Sequence, residues 1–152
     1  MNSECIRTLL RSAGEYRLPV TGASMSPTLR AGDLIECRAC APSELRPGQI
    51  IVLGAVHTIV VHRYLGTSTK RLVTRGDNAP SHDPLWQTDY LLGRVLARWR
   101  NGTRVALDRG LPRWRGWWIA AFWRARARVG VWQRRGVGAR RRVQAASEAG
   151  PT

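Results

Sequence analysis

The sequence predicts a mainly β protein: an antiparallel β domain with a short N-terminal helix and a basic Trp/Arg-rich C-terminal helix. Six or seven short runs rich in Val, Ile and Leu are each bounded by Gly, Pro or Asn, the composition of strands separated by turns. Asn101-Gly102 stands between two such runs, and that dipeptide is the strongest short hairpin signal because both residues tolerate positive φ. Charge is divided sharply along the chain. Residues 1–93 carry ten Lys+Arg against eight Asp+Glu, whereas residues 94–152 carry fifteen Arg against only Asp108 and Glu148. A near-neutral folded part therefore precedes a cationic one.

In chain order, residues 3–12 place Ile6, Leu9 and Leu10 on one face of a short helix with Ser3 as a cap. Strands are expected over 16–20, 33–38, 49–53, 57–64, 70–74 and 90–100, the last joined through Asn101-Gly102 to 103–107. Beyond this, Trp114, Trp117, Trp118, Ile119, Phe122 and Trp123 recur at helical spacing among arginines. Residues 134–152, with Arg140, Arg141 and Arg142 and a small-polar end, read as disordered. The expected organisation is thus a helix over 1–16, a β domain over 17–108, an amphipathic helix over 109–133 and a basic tail over 134–152.

Several classes are disfavoured. The longest uncharged stretch, residues 47–62, contains Gly48, Gln49 and Gly54 and reads as strands, so no transmembrane helix is expected. Glu4, Arg7, Arg11, Glu15 and Arg17 at the start argue against a secretory signal peptide. A peripheral membrane-associated or a cytoplasmic location is expected. Cys37 and Cys40 form a single CxxC, half of a tetrahedral zinc site. Incidental thiols are the favoured reading, and neither metal nor cofactor is expected.

The chemistry concentrates in Gly22-Ala23-Ser24-Met25-Ser26-Pro27-Thr28-Leu29-Arg30-Ala31-Gly32-Asp33. A serine on a turn between two strands exposes its hydroxyl while the strands fix its position. It needs a base. His62 lies on an expected strand 38 residues later, with two strands between to bring the side chains together. His57, five positions earlier, would point to the opposite face of a regular strand, and His82 lies in a Pro-rich loop. Both read as ordinary strand or surface residues. The only lysine is Lys70, the alternative base.

The ordered succession of Gly22-Ala23-Ser24-Met25, Gly32-Asp33, Leu45-Arg46-Pro47-Gly48, Val61-His62-Arg63, Thr74-Arg75-Gly76-Asp77-Asn78 and Gly93-Arg94-Val95 resembles the signal peptidase I family. That family shares a clan with LexA-type self-cleaving proteases. The resemblance covers about residues 17–97, and it implies a LexA/signal-peptidase-like β domain. It makes Ser24, the serine before methionine, the nucleophile in preference to Ser26. Most bacterial members carry a lysine base; Val61-His62-Arg63 is similar to the endoplasmic-reticulum and archaeal branch, which uses histidine. The same branch implies Asp83, six residues after Asp77, as the acid orienting His62. Asp77 is then a supporting acid, or chiefly a stabiliser of its own turn, and the Ser24 backbone N–H is the oxyanion donor. This chain departs from the family in lacking a hydrophobic N-terminal segment and in having Gln49 after Gly48.

The resemblance implies a serine endopeptidase cleaving signal or leader peptides after small residues, with a precursor protein or peptide as partner. A dedicated maturation protease is the alternative enzyme. The alternative outside enzymes is an inactive scaffold serving as a cationic membrane- or nucleic-acid-binding module. Six of the seven tryptophans fall in residues 99–132, interleaved with arginine. Through residues 112–132 an anionic membrane surface is a candidate partner, against the alternative that these tryptophans pack on the β domain. No recognition fold supports nucleic acid.

Overall fold

The computed structural model describes residues 14–55, 58–108 and 117–122, together with Thr8 and Ala125. The chain divides into two compact units, Met1–Ala121 and Phe122–Thr152. Seven strands fill the first: β1 (Glu15–Pro19), β2 (Leu34–Arg38), β3 (Ile50–Ala55), β4 (Thr58–Ser68), β5 (Arg71–Arg75), β6 (Leu91–Arg100) and β7 (Thr103–Ala106). They form one antiparallel sheet in the order β1-β2-β6-β3-β4-β5, with β7 also on β6. The protein is therefore mainly antiparallel β, as its sequence predicts.

Strand β6 is the spine. One edge pairs with β2, while the other pairs first with β3 and then with β7. Period-two alternation builds a core on each face of β3. Ile50 and Val52 join Leu18, Met25, Leu29, Ile35 and Val95 in one cluster. Ile51 and Leu53 join Leu45, Tyr64 and Leu72 in the other. Those four successive β3 residues are at most 4% exposed, and each contributes about 2 kcal/mol by leaving water.

The β6–β7 connection is the expected hairpin, with Asn101 at φ 49° and Gly102 at φ 76°. Most strand limits fall one or two residues from expectation, and two of the differences have a clear cause. Strand β4 continues to Ser68 because Gly66, which reads as a terminator, is absorbed at a register shift between Tyr64 and Gly66. Lys70 does not start β5. With Thr69 it forms the β4–β5 turn, both at positive φ.

The helix expected over 3–12 lies outside the described residues except Thr8, which is helical. In the Trp/Arg-rich segment, residues 117–122 are helical, and most of the remainder lies outside the described residues. The tail 134–152, Cys5 and His57 lie outside them as well. Among the described residues no helix is long and apolar enough to cross a membrane.

Candidate active site

Ser24 is exposed, yet its turn is anchored from beneath. Met25 and Leu29 on either side of the turn are 2% and 0% exposed, and the Leu29 N–H donates to the Met25 carbonyl. The alternation of a polar serine with a buried methionine thus sets which group faces outward.

His62 stands on β4 opposite Ile51 of β3, and its Nε2 lies 2.9 Å from Ser24 Oγ. Its Nδ1 lies 2.6 Å from Asp83 Oδ2. The same carboxylate oxygen accepts a 2.5 Å hydrogen bond from Thr74 Oγ1. Thr74 is completely buried, and its carbonyl accepts the Asp83 N–H at 3.1 Å, so β5 holds the acid at two points. Burial works against the charge on Asp83, but hydrogen bonds from His62 and Thr74 outweigh it and hold the carboxyl below its ordinary value. An ionised carboxylate only accepts, so Nδ1 carries the imidazole proton. Nε2 is then the acceptor for the Ser24 hydroxyl.

Arg63 follows His62 and so points to the opposite side of the strand. It is 4% exposed. Its Nη1 donates to the Gly48 carbonyl at 2.7 Å, and its Nε and Nη2 donate to Asp77 at 2.7 and 2.6 Å. Asp77 also accepts from Thr28 Oγ1 at 2.6 Å. Asp77 is therefore bonded to Arg63 and Thr28, and Asp83 is the carboxylate on the histidine. The Arg63–Asp77–Thr28 cluster ties the base's strand, the acid's loop and the serine turn together. The Asn78 N–H adds a 2.8 Å bond to the Ser24 carbonyl.

Gly76 sits where the two loops meet. A Cβ there would lie 2.6 Å from the Ser24 carbonyl oxygen and 3.1 Å from His62 Nε2. Only glycine allows this approach.

A cavity of about 460 Å³ opens beside Ser24 and His62. Its walls come from Leu18, Pro19, Val20, Thr21 and Gly22 at the end of β1, from Met25 and Leu29, and from Ile59, Val60 and Val61 of β4. Among the described residues, β1 pairs only with β2, and the Thr58–His62 part of β4 pairs only with β3. Two strand edges that pair with no further described strand therefore border one apolar cleft.

Comparison of the chain with protein-family models and with curated proteins finds no match.

The remaining candidates separate cleanly. Lys70 is exposed in the β4–β5 turn, while His62 occupies the position beside Ser24. His82 is exposed, and burial and Arg75 hold its pKa below the ordinary value. Burial pushes the Cys37 thiol up to about 12 and the Cys40 thiol up to about 11, so both stay protonated at neutral pH and neither is poised as a nucleophile or ligand. Among the described residues no group of three or more His, Cys, Asp or Glu is placed to hold a metal ion.

Sequence reasoning assigned no role to Thr28, Arg63 or Thr74. It also passed over Asp33, which is 2% exposed and takes two 2.7 Å hydrogen bonds from Arg100 and one of 2.8 Å from the Arg30 N–H. That pairing closes the far end of the serine turn onto β6. A charged residue inside a Gly-containing turn was its only sequence signal.

Proposed function

We propose that this protein is a serine endopeptidase of signal-peptidase type, with a LexA/signal-peptidase-like β domain, that cleaves signal or leader peptides after small residues. The observation that carries the reading is the continuous relay Ser24 Oγ–His62 Nε2 and His62 Nδ1–Asp83 Oδ2, at 2.9 and 2.6 Å. The ordered motifs shared with the signal peptidase I family support it.

Ser24 Oγ attacks the scissile carbonyl carbon while its proton passes to His62 Nε2. Asp83 stabilises the imidazolium and keeps the tautomer that made Nε2 basic. The Ser24 N–H stabilises the oxyanion. His62 then gives its proton to the departing amine as the C–N bond breaks, leaving an ester on Ser24. Water attacks that ester, its proton goes to His62, and the carboxylic acid leaves as Ser24 recovers its hydrogen. An extended substrate segment suits the cleft, because it lies between edges of β1 and β4 that pair with no further described strand.

The test is cleavage of a panel of precursors bearing Ala-x-Ala by the full chain and by Ser24→Ala and His62→Ala. Each substitution is expected to lower kcat by more than about 10³-fold. Cleavage that survives in both variants defeats the mechanism. Cleavage of a single member of the panel marks a dedicated maturation protease instead of a general one.

A further inference from the structure

The cleft beside Ser24 offers more apolar surface than small side chains can cover. Its floor belongs to the close-packed cluster that includes Leu18, Met25 and Leu29, each at most 3% exposed. Half-buried Val20, Ile59 and Val61 pack against that cluster, and all six line the cavity. The volume of about 460 Å³ falls within the roughly 300–1,000 Å³ of a small-molecule site. The two alanines of an Ala-x-Ala segment bring one methyl group each, which leaves most of that wall facing water.

The composition of the wall selects a different occupant. The chain has seven Trp, three Tyr and one Phe, yet none of them is among the described residues lining the cavity, and neither is any Asp, Glu, Lys or Arg. A charged ligand finds no counter-charge there, and a flat ring finds no aromatic partner. A saturated straight chain does fit, because it can follow branched aliphatic walls and touch them along its whole length.

Length and polarity follow from β4. The reactive end of the cleft is fixed where His62 Nε2 lies 2.9 Å from Ser24 Oγ. From His62 back to Ile59 the wall runs three residues along the strand, at ~3.3 Å each about 10 Å, the extended length of an acyl chain of about eight carbons. An acyl carbon held at Ser24 therefore directs its tail toward Ile59. The relay itself asks only for a carbonyl with a leaving group, and an alcohol leaves more readily than an amine.

We propose that the protein is also a serine esterase acting on neutral alkyl esters of medium-chain carboxylic acids, with the acyl tail in the cleft between Val20 and Ile59. This rests on the Ser24–His62–Asp83 relay of the proposed function and not on its peptide specificity. Ser24 Oγ attacks the ester carbonyl carbon while its proton passes to His62 Nε2. The C–O bond to the alcohol breaks, the alcohol oxygen takes that proton, and the acyl group stays on Ser24. Water then attacks the acyl carbon and gives a proton to Nε2, and the carboxylic acid leaves as Ser24 Oγ recovers its hydrogen. Burial of the tail supplies the binding, so no strand pairing with the cleft edges is needed.

The experiment measures hydrolysis of p-nitrophenyl acetate, butyrate, octanoate and palmitate by the full chain, each below its micelle concentration. From acetate to octanoate, kcat/KM is expected to rise by roughly two- to four-fold per methylene, the lower figure for a tail covered on one side only. It is expected to fall at palmitate, which outruns the cleft. Ser24→Ala and His62→Ala are each expected to lower octanoate turnover by more than about 10³-fold. Ile59→Trp fills the far end, and the octanoate-to-acetate ratio is expected to drop about ten-fold, the worth of roughly two methylenes. A second measurement does not depend on that variant folding. Octylboronic acid is expected to raise the wild-type Tm more than ethylboronic acid does, and neither is expected to move the Tm of Ser24→Ala.

Ser24-dependent turnover that is indifferent to chain length overturns this inference and leaves the relay standing. So does Ser24-dependent cleavage of Ala-x-Ala precursors without octanoate turnover. Octanoate turnover that survives in Ser24→Ala overturns it by placing the chemistry elsewhere. A wild type that hydrolyses neither esters nor precursors removes the relay reading as well.

Discussion

Replacing Gly76 by alanine tests the site through one methyl group. The new Cβ would lie 2.6 Å from the Ser24 carbonyl oxygen, 3.1 Å from His62 Nε2 and 3.2 Å from Ala79 Cβ. Relief to an ordinary contact moves the Ser24 carbonyl by roughly 0.8 Å, close to the ~1 Å misplacement that costs about 10²-fold in rate. The carbonyl cannot yield alone, because it holds the Asn78 N–H at 2.8 Å. Its motion carries both the Ser24 hydroxyl and the loop leading to Asp83. The overpacking costs about 1–3 kcal/mol, a fall in Tm of about 2–12 °C. The assay is steady-state cleavage of an Ala-x-Ala precursor well below the melting temperature, alongside thermal melts. Since the damage falls on reacting atoms and leaves the cleft intact, kcat is expected to fall about 10²-fold while KM stays near its wild-type value. A variant with wild-type kcat and a wild-type melt refutes the reasoning, for it would mean that the two loops do not meet at Gly76.

Thr74→Val removes one of the two hydrogen bonds on Asp83 Oδ2 and is expected to cost about 1–2 kcal/mol at neutral pH. The Asp83 carboxyl is held low in the folded protein, so its stabilisation is present above the unfolded value near 3.8 and is lost as pH falls through the lower folded value. In the valine variant the folded value rises toward the unfolded one, so the loss of Tm in acid is smaller and complete at a higher pH, and the acid limb of activity moves up. Thr74→Ser restores them, and an unmoved acid limb counts against the role.

Arg100→Met strips Asp33 of its two 2.7 Å partners while Asp33 stays 2% exposed, at a cost of about 3 kcal/mol near neutral pH. In the wild type the hydrogen bonds from Arg100 hold the Asp33 pKa down, so acid removes stability. In the variant Asp33 keeps only the Arg30 N–H at 2.8 Å and the Arg98 guanidinium at 3.9 Å, so its pKa moves back up and the loss of stability in acid is expected to become shallower. Thermal melts showing the wild-type slope would contradict this.

The strands were legible because their signals are local. Each apolar run ends at a turn residue, and Asn101-Gly102 needs no distant partner to act. The order of the strands in the sheet was not legible. That β6 lies between β2 and β3 depends on pairings far apart in the chain, and alternating burial alone does not choose among them. Ser24 and His62 could be named from the order of the motifs, and Asp83 only through the family resemblance. Thr74 and Thr28 escaped notice because a threonine on a strand or in a turn carries no local sign of what it will touch. Arg63 read as a neighbour of the base. Its pairing with Asp77 emerges only when β4 and the loop after β5 come together. Gly76 was visible as a turn glycine, but its closeness to His62 was not.

The strand edges bordering the cleft have a thermodynamic consequence. Among the described residues, the outer edge of β1 and the Thr58–His62 edge of β4 pair with no further strand. A bound extended segment acts there as the missing strand, and the free energy of seating it adds to the free energy of folding. Occupancy is then readable without turnover, as a rise in Tm and as slowed amide exchange along both edges. On the proposed activity, a segment that seats well becomes part of the fold until its bond is cut, and cutting halves the strand that held the two edges together.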